Sequence, residues 1–284
     1  MWDNDEMQSE KSSSFTGKLM RWSVSIAALL VLAAFLFITP PGLLGKADGI
    51  GYAVCHRIDE RSFHVFGRQL PLCARCTGEF NAAAISLVFL GFVSHKRSSL
   101  PRKSILAVLI VFFLAFGIDG SNSYLYLLKQ VYPGFLPQVP NIYIPNNTLR
   151  LLTGSGMGIT MASVLYPVVN QTLWSDADER PALSWRKFGG LLGIILLIDL
   201  GILSEQPFIL YPIAFLSVLG VVALLSMVFS IVWVIIMRQE NAFERLKQLW
   251  MPALAGLTLT FLMITVIDLL RLRLTGTWGG FPLG

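Results

Sequence analysis

The chain has 284 residues, 54% hydrophobic and only 14% charged, with a formal net charge of +5. Soluble domains carry about 25% charged residues, so this composition excludes an ordinary water-soluble globule. In an apolar chain the positive excess points to membrane-flanking loops and not to nucleic acid.

The first 17 residues are polar and mixed in charge, and residues 1–22 read as a cytoplasmic N-terminal tail. The apolar block that follows is too long for a signal-peptide core and lacks a clear cleavage site, so it reads as a retained span. About 20 apolar residues cross a bilayer. On that measure the chain holds about seven spans, at roughly 23–44, 77–94, 104–128, 148–169, 188–204, 208–237 and 249–270. The expected fold is an all-α polytopic bundle. Residues 23–170 form a first membrane region with a Cys/His loop at 45–76, and residues 171–284 a second with three further spans.

In the fourth span Gly154, Gly158 and Ala162 recur every four residues, which suits close helix packing. Pro133, Pro137, Pro140 and Pro145 make the 132–145 segment a stiff loop. His95, Lys96 and Arg97 read as a solvated basic anchor, and Gln239–Gln248 as a short connecting helix.

With the N-terminus inside, thirteen Lys and Arg fall on cytoplasmic segments against nine outside. Five of those nine (Lys46, Arg57, Arg61, Arg68 and Arg75) belong to the Cys/His loop. The positive-inside rule therefore places that loop on the extracytoplasmic face of a multi-pass cell-membrane protein. Asp119, Asn122, Asp199 and Asp268 then lie in the outer halves of their spans. Glu79, Asn81, Asn146, Asn147 and Arg150 stand at the outer ends of theirs. Charges at membrane depth face a bundle interior or cavity, so these residues outline an outward polar pocket roofed by the loop. The i, i+3 pair Asp119 and Asn122 also suits an interhelical hydrogen-bond clamp.

All three cysteines of the chain lie in that loop. Cys73 and Cys76 form a C-x-x-C whose sulfurs reach one metal ion or each other, and Cys55 adds a third thiolate. His56, His64, Glu79 or water could supply a fourth ligand, although adjacent Cys55 and His56 share one ion awkwardly. Such a set favours zinc, with iron as the alternative. Arg75 between the cysteines would lower thiol pKa values, so a Cys73–Cys76 redox centre stays open, as does a structural clip. A transporter, an assembly factor and an enzyme acting on a lipid-like or quinone-like substrate also stay open. Arg61 and Ser62 could meet an anion such as a lipid phosphate, but Asp59 and Glu60 are ready local partners. Thr77 follows C-x-x-C where covalent haem attachment needs histidine, and no phosphate-binding glycine loop is present, so haem c and nucleotide are not expected.

The ordered set Cys55-His56, Glu60-Arg61-Ser62-Phe63, Gly67, Gln69-Leu70-Pro71 and Cys73-Ala74-Arg75-Cys76-Thr77-Gly78 resembles the signature of domain of unknown function 2085. Asp119-Gly120 and Asn147-Thr148-Leu149-Arg150-Leu151-Leu152-Thr153-Gly154 extend the likeness over about residues 50–160. Arg57 departs from it, since the family usually has Gln there. The resemblance implies a prokaryotic integral membrane protein and supplies no activity. It carries His56 and not His64, which makes Cys55, His56, Cys73 and Cys76 the expected ligands. Arg61, Arg75, Glu79, Asp119, Asn122, Asn147 and Arg150 are the expected pocket.

Overall fold

The computed structural model describes residues 3–280, with side chains from Leu19 onward. Eight α-helices account for most of these residues: α1 (Asp3–Ile38), α2 (Leu43–Val54), α3 (Ala74–Val93), α4 (Lys103–Val131), α5 (Asn147–Leu173), α6 (Trp185–Leu203), α7 (Pro207–Ile236) and α8 (Trp250–Thr275). Two-residue strands β1 (His64–Val65) and β2 (Arg68–Gln69) pair antiparallel, and β3 (Arg97–Ser99) pairs in parallel with β4 (Asp178–Pro181). The all-α expectation holds, with these short ladders confined to connections.

Among the described residues, six helices are long and apolar enough to cross a membrane: α3, α4, α5, α7, the Leu19–Ile38 part of α1, and α8 with its lead-in. Helix α6 carries Arg186, Lys187 and Asp199, yet its 19 residues reach about 28 Å. It does traverse the bundle. Lys187 at its start donates to Ser94 Oγ (2.8 Å) beyond the end of α3, and Ile202 near its end packs with Phe63 and Leu70 of the cysteine loop. With α6 included, the chain crosses the bundle seven times in alternating directions.

Helix α1 stops at Ile38, short of the expected Leu44, and its N-terminal turns run on through the polar stretch read as a tail. The cause of the early stop is Thr39-Pro40-Pro41-Gly42, because proline disfavours helix in the residue before it and offers no N–H. Gly42 adds a left-handed φ of 82°. The chain then turns back into α2, a short buried helix packed against α7 and α8 that delivers Cys55 at its end.

The closest helix pair is α3 with α5. A Cβ at Gly154 would stand 2.1 Å from Arg75 O, and one at Gly158 2.0 Å from Glu79 O. The small-residue stripe therefore faces α3, and this approach fixes the helix that carries Cys76.

At the end opposite the cysteines, three connections are tied together. Lys96 Nζ donates to Asp176 (2.6 Å) and to Glu244 O (2.8 Å), and lies 4.3 Å over the Trp174 ring. Lys96 is therefore a cross-connection and not merely a solvated anchor. The expected helix at 239–248 is largely absent, with only a 3-10 turn at Leu246–Leu249. Left-handed Arg238 and Asn241 bend that backbone, and Gln248 Oε1 takes the amides of Glu244 and Arg245. Apolar side chains such as Trp22, Leu29, Phe92, Leu197 and Phe208 are exposed around the bundle, the surface a lipid solvent requires.

Candidate metal centre

Cys55 ends α2, where the backbone passes from helix to an extended conformation (φ −131°, ψ 144°). Cys73 is the N-cap of α3, and Cys76 lies in its first turn. Between them the chain makes a 3-10 turn at Asp59–Arg61 and the β1–β2 hairpin. Phe66 (φ 50°) and Gly67 (φ 73°) form its two-residue turn, the doubly left-handed arrangement that matches strand twist. Phe63, Val65 and Leu70 of the hairpin pack against Leu151 and Leu210. Gln69 Nε2 donates to Arg57 O (2.9 Å) and Ser62 Oγ (2.7 Å), closing the loop so that Cys73 returns beside Cys55.

The three Sγ atoms lie within 4.8 Å of one another, all as free thiols, with Cys55 and Cys73 buried and Cys76 half-buried. Sulfurs arranged tetrahedrally about zinc sit roughly 3.8 Å apart, given a bond of about 2.3 Å. The amides of Arg57 (3.4 Å) and Cys73 (3.3 Å) donate to Cys55 Sγ. Hydrogen bonds from the Cys73 and Cys76 thiols, more than these amides, hold the Cys55 thiol well below its ordinary range against the opposing effect of burial. Three converging sulfur donors, with the Cys55 thiol shifted toward the thiolate, fit zinc or iron. Such an ion would supply a Lewis-acid or purely structural centre.

The other expected ligands divide. His56 Nδ1 is 3.5 Å from Cys55 Sγ, beside the trio but outside the group the sulfurs form. His64 Nε2 is paired instead with Asp59 Oδ1 at 2.9 Å. Glu79 lies one turn beyond Cys76 and is likewise outside that group among the described residues.

Three further arginines fix the loop. Arg57, left-handed at φ 53°, bonds Asp48 Oδ1 (2.9 Å) and Trp278 O (3.2 Å), while Arg68 takes Asp48 Oδ2 (2.6 Å). Arg271 of α8 donates to the carbonyls of Tyr52, Cys55 (2.6 Å) and His56 (3.2 Å), and stacks 3.9 Å over the Tyr52 ring. It caps the orphan carbonyls at the end of α2.

Most residues expected in the polar pocket, Glu79 apart, take part in side-chain hydrogen bonds at this end of the bundle. Asp119 accepts from Arg75 Nε (3.0 Å) and Nη2, Tyr143 Oη (2.6 Å) and Thr153 Oγ1 (3.3 Å). Arg75 Nη2 also reaches Ser123 Oγ (3.1 Å), and Arg61 Nη2 donates to Ser123 O (3.2 Å). Asn122 holds the proline-rich loop through Tyr143 O and the Ile142 amide, both at 2.9 Å. Arg150 donates to Asn147 Oδ1 (2.9 Å), and Asn147 reaches Glu60 O (3.4 Å). Asn146 caps α5 by accepting the Leu149 amide (2.9 Å). Burial, reinforced by the Asp119 hydrogen bond, pushes the Tyr143 hydroxyl up to about 12.

Not every expected residue joins. Asn81 turns back on its own helix, donating to Thr77 O. Asp199 pairs with Ser155 Oγ (2.9 Å), and Asp268 is fully buried with neither oxygen hydrogen-bonded among the described residues. No hydrogen bond among those residues links either carboxylate to Asp119. Tyr143, Thr153, Ser123, Asp48 and Arg271 were not expected in these roles. A phenol inside a stiff loop and an arginine ending an apolar span were the available signals.

No solved structure matches this chain. It is 23% identical over 122 residues to "Uncharacterized protein MJ1492" of Methanocaldococcus jannaschii, covering 43% of this chain and 67% of that protein. Residues 55–164, from the first cysteine through most of α5, match the model of the family described as "Predicted membrane protein (DUF2085)", so the resemblance seen in the Cys/His motifs holds across that segment.

Proposed function

We propose that this multi-pass membrane protein carries a resident metal ion, zinc or iron, on the thiolates of Cys55, Cys73 and Cys76, with His56 as the fourth ligand. The reading rests on one observation: three sulfurs from the two ends of the loop converge within 4.8 Å. Metal-bound, the loop would be clamped on the bundle as a stable outer cap. His56 is placed to complete the set because its Nδ1 is already near Cys55 Sγ. The site faces outward in this reading, since the connections at the far end carry Lys96, Arg97, Arg180, Arg186, Arg245 and Lys247. Residues 1–22 then belong to the cytoplasm. The lipid bilayer is the partner this reading names.

A second reading, a thiol–disulfide centre at Cys73 and Cys76, draws on the lowered Cys55 thiol, which would be the attacking group. Elemental analysis of the detergent-purified protein and its Cys73→Ser variant separates the two. About one equivalent of zinc or iron in the parent, and none in the variant, supports the metal centre. Metal-free parent protein with no uptake from added zinc overturns it in favour of the dithiol.

A further inference from the structure

Beside the thiol trio, three guanidinium groups gather around a single fully engaged carboxylate. Arg61 and Arg75 converge on one residue, Ser123, and Arg75 directly precedes Cys76 in the first turn of α3. Arg150 stands in the first turn of α5, three residues before Thr153, whose hydroxyl meets Asp119. Asp119 already accepts from Arg75, Tyr143 and Thr153, so it has little left to offer Arg61 or Arg150.

Neither Arg61 nor Arg150 has an ion pair among the described residues, although each is only 7% exposed. One hydrogen bond to a neutral oxygen is all that each guanidinium makes there, and Arg150 Nε is buried with no partner. Glu60 is solvent-exposed, and Glu79 makes no ion pair among these residues. Arg61 and Arg150 lie within the field of Asp119, but two buried cations beside Arg75 with no direct ion pair are unfavourable unless a further anion joins them. A guanidinium offers a rigid fork of donors that matches phosphoryl oxygens.

We propose that Arg61, Arg75 and Arg150 form a binding site for a phosphoryl oxyanion, carried either by a lipid headgroup or by free phosphate. Asp119 and Ser123 hold Arg75 and Arg61 in place for it. The site is separate from the metal ligands and needs no metal to bind its anion.

The test is calorimetric titration of the detergent-purified protein with inorganic phosphate, with dihexanoyl phosphatidic acid below its micellar concentration, and with dihexanoylglycerol as the uncharged control. Saturable binding of about one equivalent is expected for a phosphoryl ligand, with none for the control. Phosphatidic acid binding without phosphate binding assigns the headgroup, and equal binding assigns free phosphate. Arg61→Gln with Arg150→Gln should weaken binding by at least about tenfold, the scale of a lost charge-assisted hydrogen bond. Chelator-treated, metal-free parent should bind as the untreated parent does. If the double variant does not fold, the parent titration decides alone. No saturable phosphoryl binding by the parent, or binding lost when the metal is removed by chelation, overturns the proposal; the second result would mean the anion is held by the metal and not by the arginines.

Discussion

Arg271 Nη1 donates to the carbonyl of Cys55 at 2.6 Å, linking the last membrane helix to the first cysteine across 216 positions of sequence. The matched family segment ends at residue 164, so this clamp comes from outside it. The final two crossings thereby gain a structural role: α7 and α8 wall the thiol trio with Val218, Val221 and Ile264, and α8 pins the backbone leading into it.

Arg271→Gln is expected to cost about 2–3 kcal/mol, because hydrogen bonds from a charged donor to the carbonyls of Tyr52, Cys55 and His56 are weakened together. Thermal melting in detergent reads the loss. Alkylation of Cys55 in metal-free protein should also accelerate as the end of α2 loosens, whereas an unchanged rate would mean the clamp does not hold the cysteine.

Gly158→Val should be far worse than Gly91→Ala. A Cβ at Gly158 meets Glu79 O at 2.0 Å, while one at Gly91 meets nothing within 4 Å. Overpacking of this kind typically costs about 1–3 kcal/mol, and the backbone collision places Gly158→Val at or above the top of that range. Gly91→Ala should stay within about 1 kcal/mol of the parent. Equal melting temperatures would show that α3 and α5 are not in close contact.

Tyr143 gives a pH signature. An unperturbed phenol ionises near pH 10. Burial and Asp119 raise the folded value to about 12, so the neutral donor is favoured in the folded state. Its contribution to stability is then fully present below about pH 10 and lost as pH rises through about 12. An ultraviolet tyrosinate titration should show a late phase near pH 12 that Tyr143→Phe removes. Persistence of that phase in the variant would contradict the Asp119 pairing.

Orientation is open to labelling in intact cells. Phe66 is the exposed tip of the hairpin at the cysteine end, and Arg102 lies at the opposite end. In a cysteine-free background, Phe66→Cys should react with an impermeant maleimide before lysis and Arg102→Cys only after it. The reverse pattern would place the thiol trio inside.

Much of this architecture was legible in local sequence. Runs of about 20 apolar residues located the crossings, and Gly154 with Gly158 identified the close face of α5. The single stretch holding all cysteines located the candidate site, and Asp119 with Asn122 pointed to a polar clamp. What stayed hidden depends on distant pairing. Thr39-Pro40-Pro41 looks apolar enough to prolong a span, yet proline chemistry ends α1 there and creates buried α2. Arg271 counts only as a flanking charge until α8 is folded against Tyr52. Tyr143 lies in a loop without periodicity, and its tie to Asp119 spans 24 residues. His56 entered through the family resemblance, and its ring stands next to the sulfurs without joining their group.

The most direct measurement is X-ray absorption at the zinc and iron edges on purified protein loaded with one equivalent of metal. The expected first shell is three sulfurs at about 2.3 Å and one nitrogen at about 2.0–2.1 Å, falling to two sulfurs in Cys55→Ser. A shell of oxygen and nitrogen only, unchanged by that substitution, would contradict a thiolate-held metal.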